Sequence, residues 1–157
     1  MAIVKEITTW AYDSFDIQTT GFFECRDITD QVQQIVDETG IKYGEVTVQV
    51  SNTTARVFIN ENESGLLEFD FVAAFERFAP ISIYYRHDDF VIRTQNMNPG
   101  ECENGHSHCK AMLLPSSIPI ILLDGKLRLG TWGRVMVVEL DRARERKVEV
   151  SIIGCME

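Results

Sequence analysis

Between positions 44 and 51 apolar and polar residues alternate without a break. Val46, Val48 and Val50 fall on one side and Thr47 and Gln49 on the other, which predicts a half-buried strand. The polar corner Asn52-Thr53-Thr54 follows, and 55–60 reads as the partner of that strand. Segments 117–123 and 126–130 flank Asp124-Gly125, a two-residue hairpin signal. Segments 133–141 and 146–154 read as a closing antiparallel pair, the second alternating Val148, Val150 and Ile152 with Glu149 and Ser151. Residues 2–10 and 20–25 carry the Ile, Val, Thr, Trp and Phe of opening strands, and 81–86 reads as a strand delivering His87 and Asp88 at its end.

The period changes in three places. Val32, Ile35 and Val36 give a helix over 30–39, with Thr29 as its N-cap and Gly40 just past its end. Leu67, Phe71, Ala74, Phe75 and Phe78 share one face of a helix over 65–78 that Pro80 terminates. A third helix is expected over 104–114. The polar stretch 88–103, with Asn98-Pro99-Gly100 as a turn, is either a binding loop or disordered. Strands outnumber helices and helices fall irregularly between hairpins. The pattern therefore predicts an α+β fold of mostly antiparallel sheets in a sandwich-like layer with two or three helices, in one domain over 1–157.

Composition narrows the function. A net charge of −9 argues against DNA, RNA or an anionic membrane as the main partner, yet leaves room for a local basic pocket and a small anion. No apolar run approaches the ~20 residues needed to span a bilayer, and the start Met1-Ala2-Ile3-Val4-Lys5-Glu6 does not read as a signal peptide. Cys25, Cys102, Cys109 and Cys155 form no C-x-x-C pair, so reduced thiols and a cytoplasmic location are expected.

The chemistry gathers around the histidines. On a helix over 104–114, His106 and His108 are about 200° apart and cannot enter one site. Paired cysteine spacing for a zinc ribbon is absent. That leaves His108 as the inward-facing site residue and His106 as solvent-facing or loop-supporting. His87-Asp88-Asp89 is either an imidazole with carboxylates for a cation or a base, or a solvated loop start. Glu139 alternates with Val135 and Val137, so it faces a pocket or is buried and paired. Arg142, Arg144 and Arg146 beside Asp141 form a charged turn or a phosphate contact. No nucleotide-binding loop or esterase elbow is present.

In chain order, N-T-T-A at 52–55, I-N-E at 59–61, Asp70, Y-x-H-D at 85–88, N-G-H-S-H at 104–108, I-P-I-I-L-L-D-G-K-L-R-L-G-T-W at 118–132 and E-L-D-x-x-R at 139–144 resemble the YjbQ-like family, often labelled secondary thiamine-phosphate synthase. The resemblance implies a homotrimer whose histidines gather in a pocket that can hold a divalent metal, zinc or magnesium. It implies a transferase that joins a pyrimidine diphosphate to a thiazole phosphate and releases pyrophosphate. It places His87, His108 and Glu139 in catalytic roles, His87 and His108 also as metal ligands, and Asn52, Thr53, Glu61, Asp70 and Trp132 on the ligand. Arg86, Lys110 and Arg134 are the cations it leaves for phosphate. Three positions depart from the family pattern: Asn52 stands where most relatives have His, Gly133 where they have Gln, and Phe69 where many have His. The alternative is therefore a non-catalytic member that binds a metal or small ligand.

Overall fold

Every strand pairing in the computed structural model, which describes residues 9–157, is antiparallel. The elements in order are β1 (Thr9–Gln18), β2 (Cys25–Asp27), α1 (Thr29–Thr39), β3 (Tyr43–Val50), β4 (Ala55–Asn60), a π-helical turn (Gly65–Asp70) running into α2 (Phe71–Phe78), a 3₁₀ turn (Arg86–Asp88), α3 (Gly105–Ala111), β5 (Ser117–Leu123), β6 (Lys126–Leu127), β7 (Arg134–Glu139) and β8 (Glu145–Cys155). They build a five-stranded sheet in the order β1-β8-β3-β5-β6 and a three-stranded sheet in the order β2-β7-β4. The fold is α+β.

The two sheets stack on a shared apolar layer. Val46, Val48 and Val50 of β3 meet Val135 and Val137 of β7 there, and α1 closes the layer with Val32 and Val36. The three-stranded sheet is buried on its other face as well. Phe58, Met136 and Val138 pack against Leu67 and Phe75 of the helical segment. A strand covered on both faces reads as a continuous apolar run. That is why 135–138 shows no alternation.

Several local expectations hold. Gly40 sits in the left-handed region at φ 71°, where it stops α1. Asp124 and Gly125 have φ of 55° and 71°, the two positive angles of the tight hairpin turn.

Others are corrected by pairing partners that lie far away in sequence. Segment 55–60 does not pair with β3; the Asn52-Thr53-Thr54 corner carries the chain into the other sheet, where β4 pairs with β7. For the same reason 133–141 and 146–154 are not a hairpin, because β7 joins β2 and β4 while β8 joins β1 and β3. The first described strand covers 9–18 and 20–24 is a turn; the expected strand residues 2–8 lie outside the described residues. β1 is an edge strand, which is how Asp13, on the same face as Ala11, Phe15 and Ile17, stays exposed and is tolerated. Thr29 is the first residue of α1 rather than its cap. Asp27 does the capping, its Oδ1 accepting from Thr29 N (3.0 Å) and Oγ1 (2.7 Å).

Segment 81–86 is a bend, not a strand. Its Ile81, Ile83 and Tyr84 are exposed, and the Tyr85 hydroxyl donates to the Pro80 carbonyl at 2.7 Å, folding the segment back on itself.

Candidate functional site

The Asp88 carboxylate brings two distant pieces of chain together. Its Oδ1 accepts from the backbone N–H of Asn104 (2.9 Å) and of Gly105 (2.8 Å), tying the 3₁₀ turn to the start of α3. The approach is close. A Cβ on Gly105 would sit 2.5 Å from Tyr85 Cβ, so glycine is required in N-G-H-S-H. The result sets the His87 and His108 rings 4.5 Å apart, centroid to centroid, tilted by 55°.

Both rings line a cleft of about 960 Å³, roofed by the loop 92–102 and walled by Thr53, Asn104, Arg142 and Arg144. This volume is near the upper end for small-ligand pockets. Four guanidiniums line it, from Arg86, Arg93, Arg142 and Arg144, and among the described lining residues Glu101 is the only carboxylate. A protein of net charge −9 thus carries a locally basic cleft.

The four arginines are not equivalent. Arg93 holds the loop together: its Nη1 donates to His87 Nε2 (3.1 Å) and Glu101 Oε2 (3.2 Å), its Nη2 to the Asn96 carbonyl (2.8 Å), and its Nε to the Gln95 carbonyl (3.2 Å). Arg144 is ion-paired with Asp141 at 2.8 Å. Arg86 and Arg142 make no side-chain hydrogen bond or salt bridge among the described residues, and their donors are available to a ligand. No sequence signal marked Arg93; its role arises from loop carbonyls that converge only in the folded chain.

Burial lowers the His108 pKa from its usual 6.5, assisted by the neighbouring His87 and by Arg93, so the ring is neutral at pH 7. A guanidinium has no acceptor, so the Arg93 contact requires an unprotonated Nε2 on His87.

Of its two alternatives, His106 is not solvent-facing; it is buried on the opposite side of α3 and supports two loops, edge-on to Phe22 (5.5 Å) and Tyr85 (6.5 Å). Lys110, fully buried, lies beside it and is paired with Glu76 at 2.5 Å, so it reaches no ligand. Burial, then Lys110, also lowers the His106 pKa from 6.5.

Both histidines therefore gain protons on unfolding below pH 6.5, and stability must fall as pH drops through that value. Each contributes a slope of at most about 1.4 kcal/mol per pH unit. Urea midpoints are expected to decline between pH 7.5 and 5.5 and to flatten in a His106→Gln/His108→Gln double variant. A flat wild-type profile would contradict the burial of these rings.

The remaining expected site residues divide by their place in the fold. Thr53 lines the cleft, and Asn52 precedes it with its carbonyl accepting from Arg56 Nη1 at 2.8 Å. Glu139, expected as a catalytic carboxylate, is enclosed between the sheets instead. Its Oε2 and Oε1 each accept from Arg146 at 2.6 Å, and it also accepts from Thr19 Oγ1 (3.1 Å) and Asp141 N (2.9 Å). Of the alternatives open for Glu139, burial with a partner is the one realised. Glu61 and Trp132 lie beyond the other end of β4 and β7, since Ala55 pairs with Glu139 near the cleft and Asn60 with Arg134 away from it. A six-residue strand spans about 17–20 Å, which keeps both out of the cleft of one chain. Asp70 is exposed where the π-helical turn meets α2, and it does not line the cleft either. Arg134 is tied to Asp27 and Asp30 at that far end.

A resident zinc or magnesium does not fit this donor set. Among the described residues no three His, Cys, Asp or Glu side chains are grouped to hold a metal ion. His87 Nε2 is already engaged by a guanidinium, whose charge repels a cation there.

The same chain pattern recurs in other proteins. The family model described as UPF0047 protein YjbQ-like matches residues 13–155. The chain belongs to the UPF0047 YjbQ-like family. A UPF0047 protein of Archaeoglobus fulgidus is 36% identical over 137 residues, covering 87% of this chain and 97% of its own. Another, of Methanothermobacter thermautotrophicus, is 33% identical over 138 residues, covering 88% of each chain. A crystal structure of a YbjQ-like protein of unknown function from Sulfolobus solfataricus P2 superposes with a TM-score of 0.81 at 35% identity, covering 93% of this chain and 98% of that one. A UPF0047-family crystal structure from Clostridium acetobutylicum gives a TM-score of 0.76 at 34% identity, with 89% and 98% coverage. Among the described residues of this UPF0047 member no helix is long and apolar enough to cross a membrane, and all four cysteines are free.

Proposed function

We propose that this UPF0047 protein binds a phosphorylated small molecule in the 960 Å³ cleft and catalyses group transfer with a phosphate or pyrophosphate leaving group. The observation that carries the reading is that Arg86 and Arg142, neither of which makes a side-chain hydrogen bond or salt bridge among the described residues, line the same cleft as His87 and His108, with one carboxylate among the lining residues. Arginine presents forked donors that match phosphate oxygens, and fixed cationic donors stabilise charge as it develops on a leaving group.

The thiamine-phosphate-synthase-type reaction is the specific form proposed. There the carbon–oxygen bond to diphosphate breaks, pyrophosphate leaves with the electron pair, and the lone pair of the thiazole nitrogen makes the new carbon–nitrogen bond. An anion against His108 favours its protonated form, so the ring gains a proton on binding and returns it to the departing pyrophosphate. No step runs through a metal.

Supporting the second reading, a binder without turnover, Asn52 and Gly133 stand where relatives carry His and Gln, and Glu139 is locked in the core. The finer parts of the proposal are a cytoplasmic setting and a homotrimer. For the latter, Trp10, Ile153 and Ile121 are exposed on one cross-strand row of the outer face of the five-stranded sheet, with Glu45 between Ile153 and Ile121.

Anion binding tests the reading directly. Calorimetric titration with inorganic pyrophosphate is expected to show binding by wild type, weakened about 10-fold or more in Arg142→Ala and further in Arg86→Ala/Arg142→Ala, each lost charged hydrogen bond costing ~1.5–3 kcal/mol. Affinity should fall with added salt. Unchanged affinity in both variants would sink the proposal.

A further inference from the structure

The loop that carries Arg142 and Arg144 to the cleft has no turn of its own. It runs over residues 140–144, from β7 in the three-stranded sheet to β8 in the five-stranded one. Among the described residues no two of its members share a backbone–backbone hydrogen bond, so its shape is imposed from outside. At its start Leu140 N donates to the Thr54 carbonyl at 3.0 Å and Asp141 N to Glu139 Oε1 at 2.9 Å. At its end the partner is Thr19, the residue after β1.

The register that sets Gln18 opposite Glu145 makes Thr19 and Arg144 the next pair of the β1–β8 ladder. In a regular antiparallel ladder such a pair exchanges two backbone bonds or none. This pair is mixed. Thr19 N donates to the Arg144 carbonyl at 2.9 Å, while Arg144 N donates to the Thr19 hydroxyl, also at 2.9 Å. The Thr19 carbonyl accepts from Gln18 Nε2 instead, at 2.9 Å. A side-chain oxygen thus stands in for the backbone one, which ends the ladder and sends the chain out of the sheet. The hydroxyl proton serves the Arg144 carbonyl (2.9 Å) or Glu139 Oε2 (3.1 Å), so the same group reaches the buried Glu139–Arg146 pair. Thr19 is buried, and without its hydroxyl the Arg144 N–H faces carbon.

We infer that Thr19 is a positioning residue for the anion. Its hydroxyl fixes where the loop 140–144 leaves the sheet, and thereby where Arg142 and Arg144 stand in the cleft. This rests on the phosphate reading of the cleft and assigns part of the affinity to a residue that touches no ligand. Arginines on a fixed loop lose less freedom on binding than arginines on a loose one.

Calorimetric titration with inorganic pyrophosphate tests the inference. Thr19→Val keeps the shape and the Thr19 N–H but deletes the acceptor; affinity is expected to drop about 3- to 10-fold, the worth of one hydrogen bond. Thr19→Ser keeps the hydroxyl and should bind as wild type does. Val36→Ala, a core substitution in α1 away from the cleft, should lose stability and keep its affinity. Thr19→Val should also cost less in an Arg142→Ala background than in wild type, because it acts through that arginine. If Thr19→Val does not fold, Thr19→Cys replaces it, its thiol being a weak acceptor, and a drop relative to Thr19→Ser is again expected. Unchanged affinity in the valine or cysteine variant overturns the inference and leaves the phosphate reading intact. So does a serine variant that binds no better than valine, an equal loss in Val36→Ala, or an equal cost with Arg142 present and absent. If wild type binds no pyrophosphate, the phosphate reading fails and this inference falls with it.

Discussion

Glu139→Ala is expected to lower the free energy of unfolding by about 3–5 kcal/mol, a large part of the ~5–15 kcal/mol typical of a domain. The carboxylate is fully buried and every contact it makes satisfies another buried group. Arg146, itself 4% exposed, places Nε and Nη2 on the two oxygens at 2.6 Å and sends Nη2 on to Thr54 Oγ1 at 3.0 Å. Removing the carboxylate strands that guanidinium between the sheets without solvent or counter-charge. It also removes the acceptor for Asp141 N, loosening the turn that carries Arg142 and Arg144 to the cleft. Replacing both partners, as in Glu139→Leu/Arg146→Met, should cost much less than the two single substitutions summed, because no uncompensated charge is left. Urea or guanidinium unfolding of the two single variants and the double variant gives the coupling directly. A single-variant loss below about 1 kcal/mol would contradict the burial and pairing described.

His108→Ala is expected to lower turnover by about 10²–10⁴-fold, the range for loss of a positioned acid–base group. The readout is a coupled assay of pyrophosphate release from the pyrimidine diphosphate and thiazole phosphate. His108 is singled out over its neighbour by its surroundings. His87 Nε2 is occupied by Arg93, whereas the His108 ring makes no hydrogen bond among the described residues and has the His87 ring 4.5 Å away. Because burial, His87 and Arg93 push the His108 pKa below 6.5, the free enzyme keeps its neutral ring down to pH 6.5 and loses it only at lower pH. Because the proposed role is to deliver a proton, the rate should decline on the alkaline side, and Arg93→Ala, which removes a repelling charge, should move that limb toward higher pH. Equal, background-level release from wild type and His108→Ala retires the enzymatic reading in favour of the non-catalytic binder.

Much of this architecture is legible in residue order alone, and the legible part is the local part. The alternation of Val46, Val48 and Val50, the apolar spacing of Val32 and Val36 ahead of Gly40, and the Asp124-Gly125 turn each depend on backbone geometry within a few residues. The separation of His106 from His108 follows from the helical rotation per residue, and the structure puts them on opposite sides of α3. Which alternative holds for His106, solvent-facing or loop-supporting, could not be read from order, because Phe22 and Tyr85, the loop residues it supports, come from distant parts of the chain.

What tertiary structure alone decided is which partner each strand and each charge meets. A three-residue polar connection reads the same whether it closes a hairpin or turns a corner between stacked sheets, so the membership of β4, β7 and β8 could not be read from spacing. A carboxylate on an alternating strand looks identical facing a pocket or facing Arg146, and four arginines scattered from 86 to 144 announce no common cleft until the chain folds. The residue types and their periods settled the elements, the family and the imidazoles. The long-range pairings, which depend on shape and on which opposite charge arrives, settled that Glu139 supports the cleft from behind, that Glu61, Asp70 and Trp132 lie outside it, and that among the described residues Arg86 and Arg142 line it without a salt bridge.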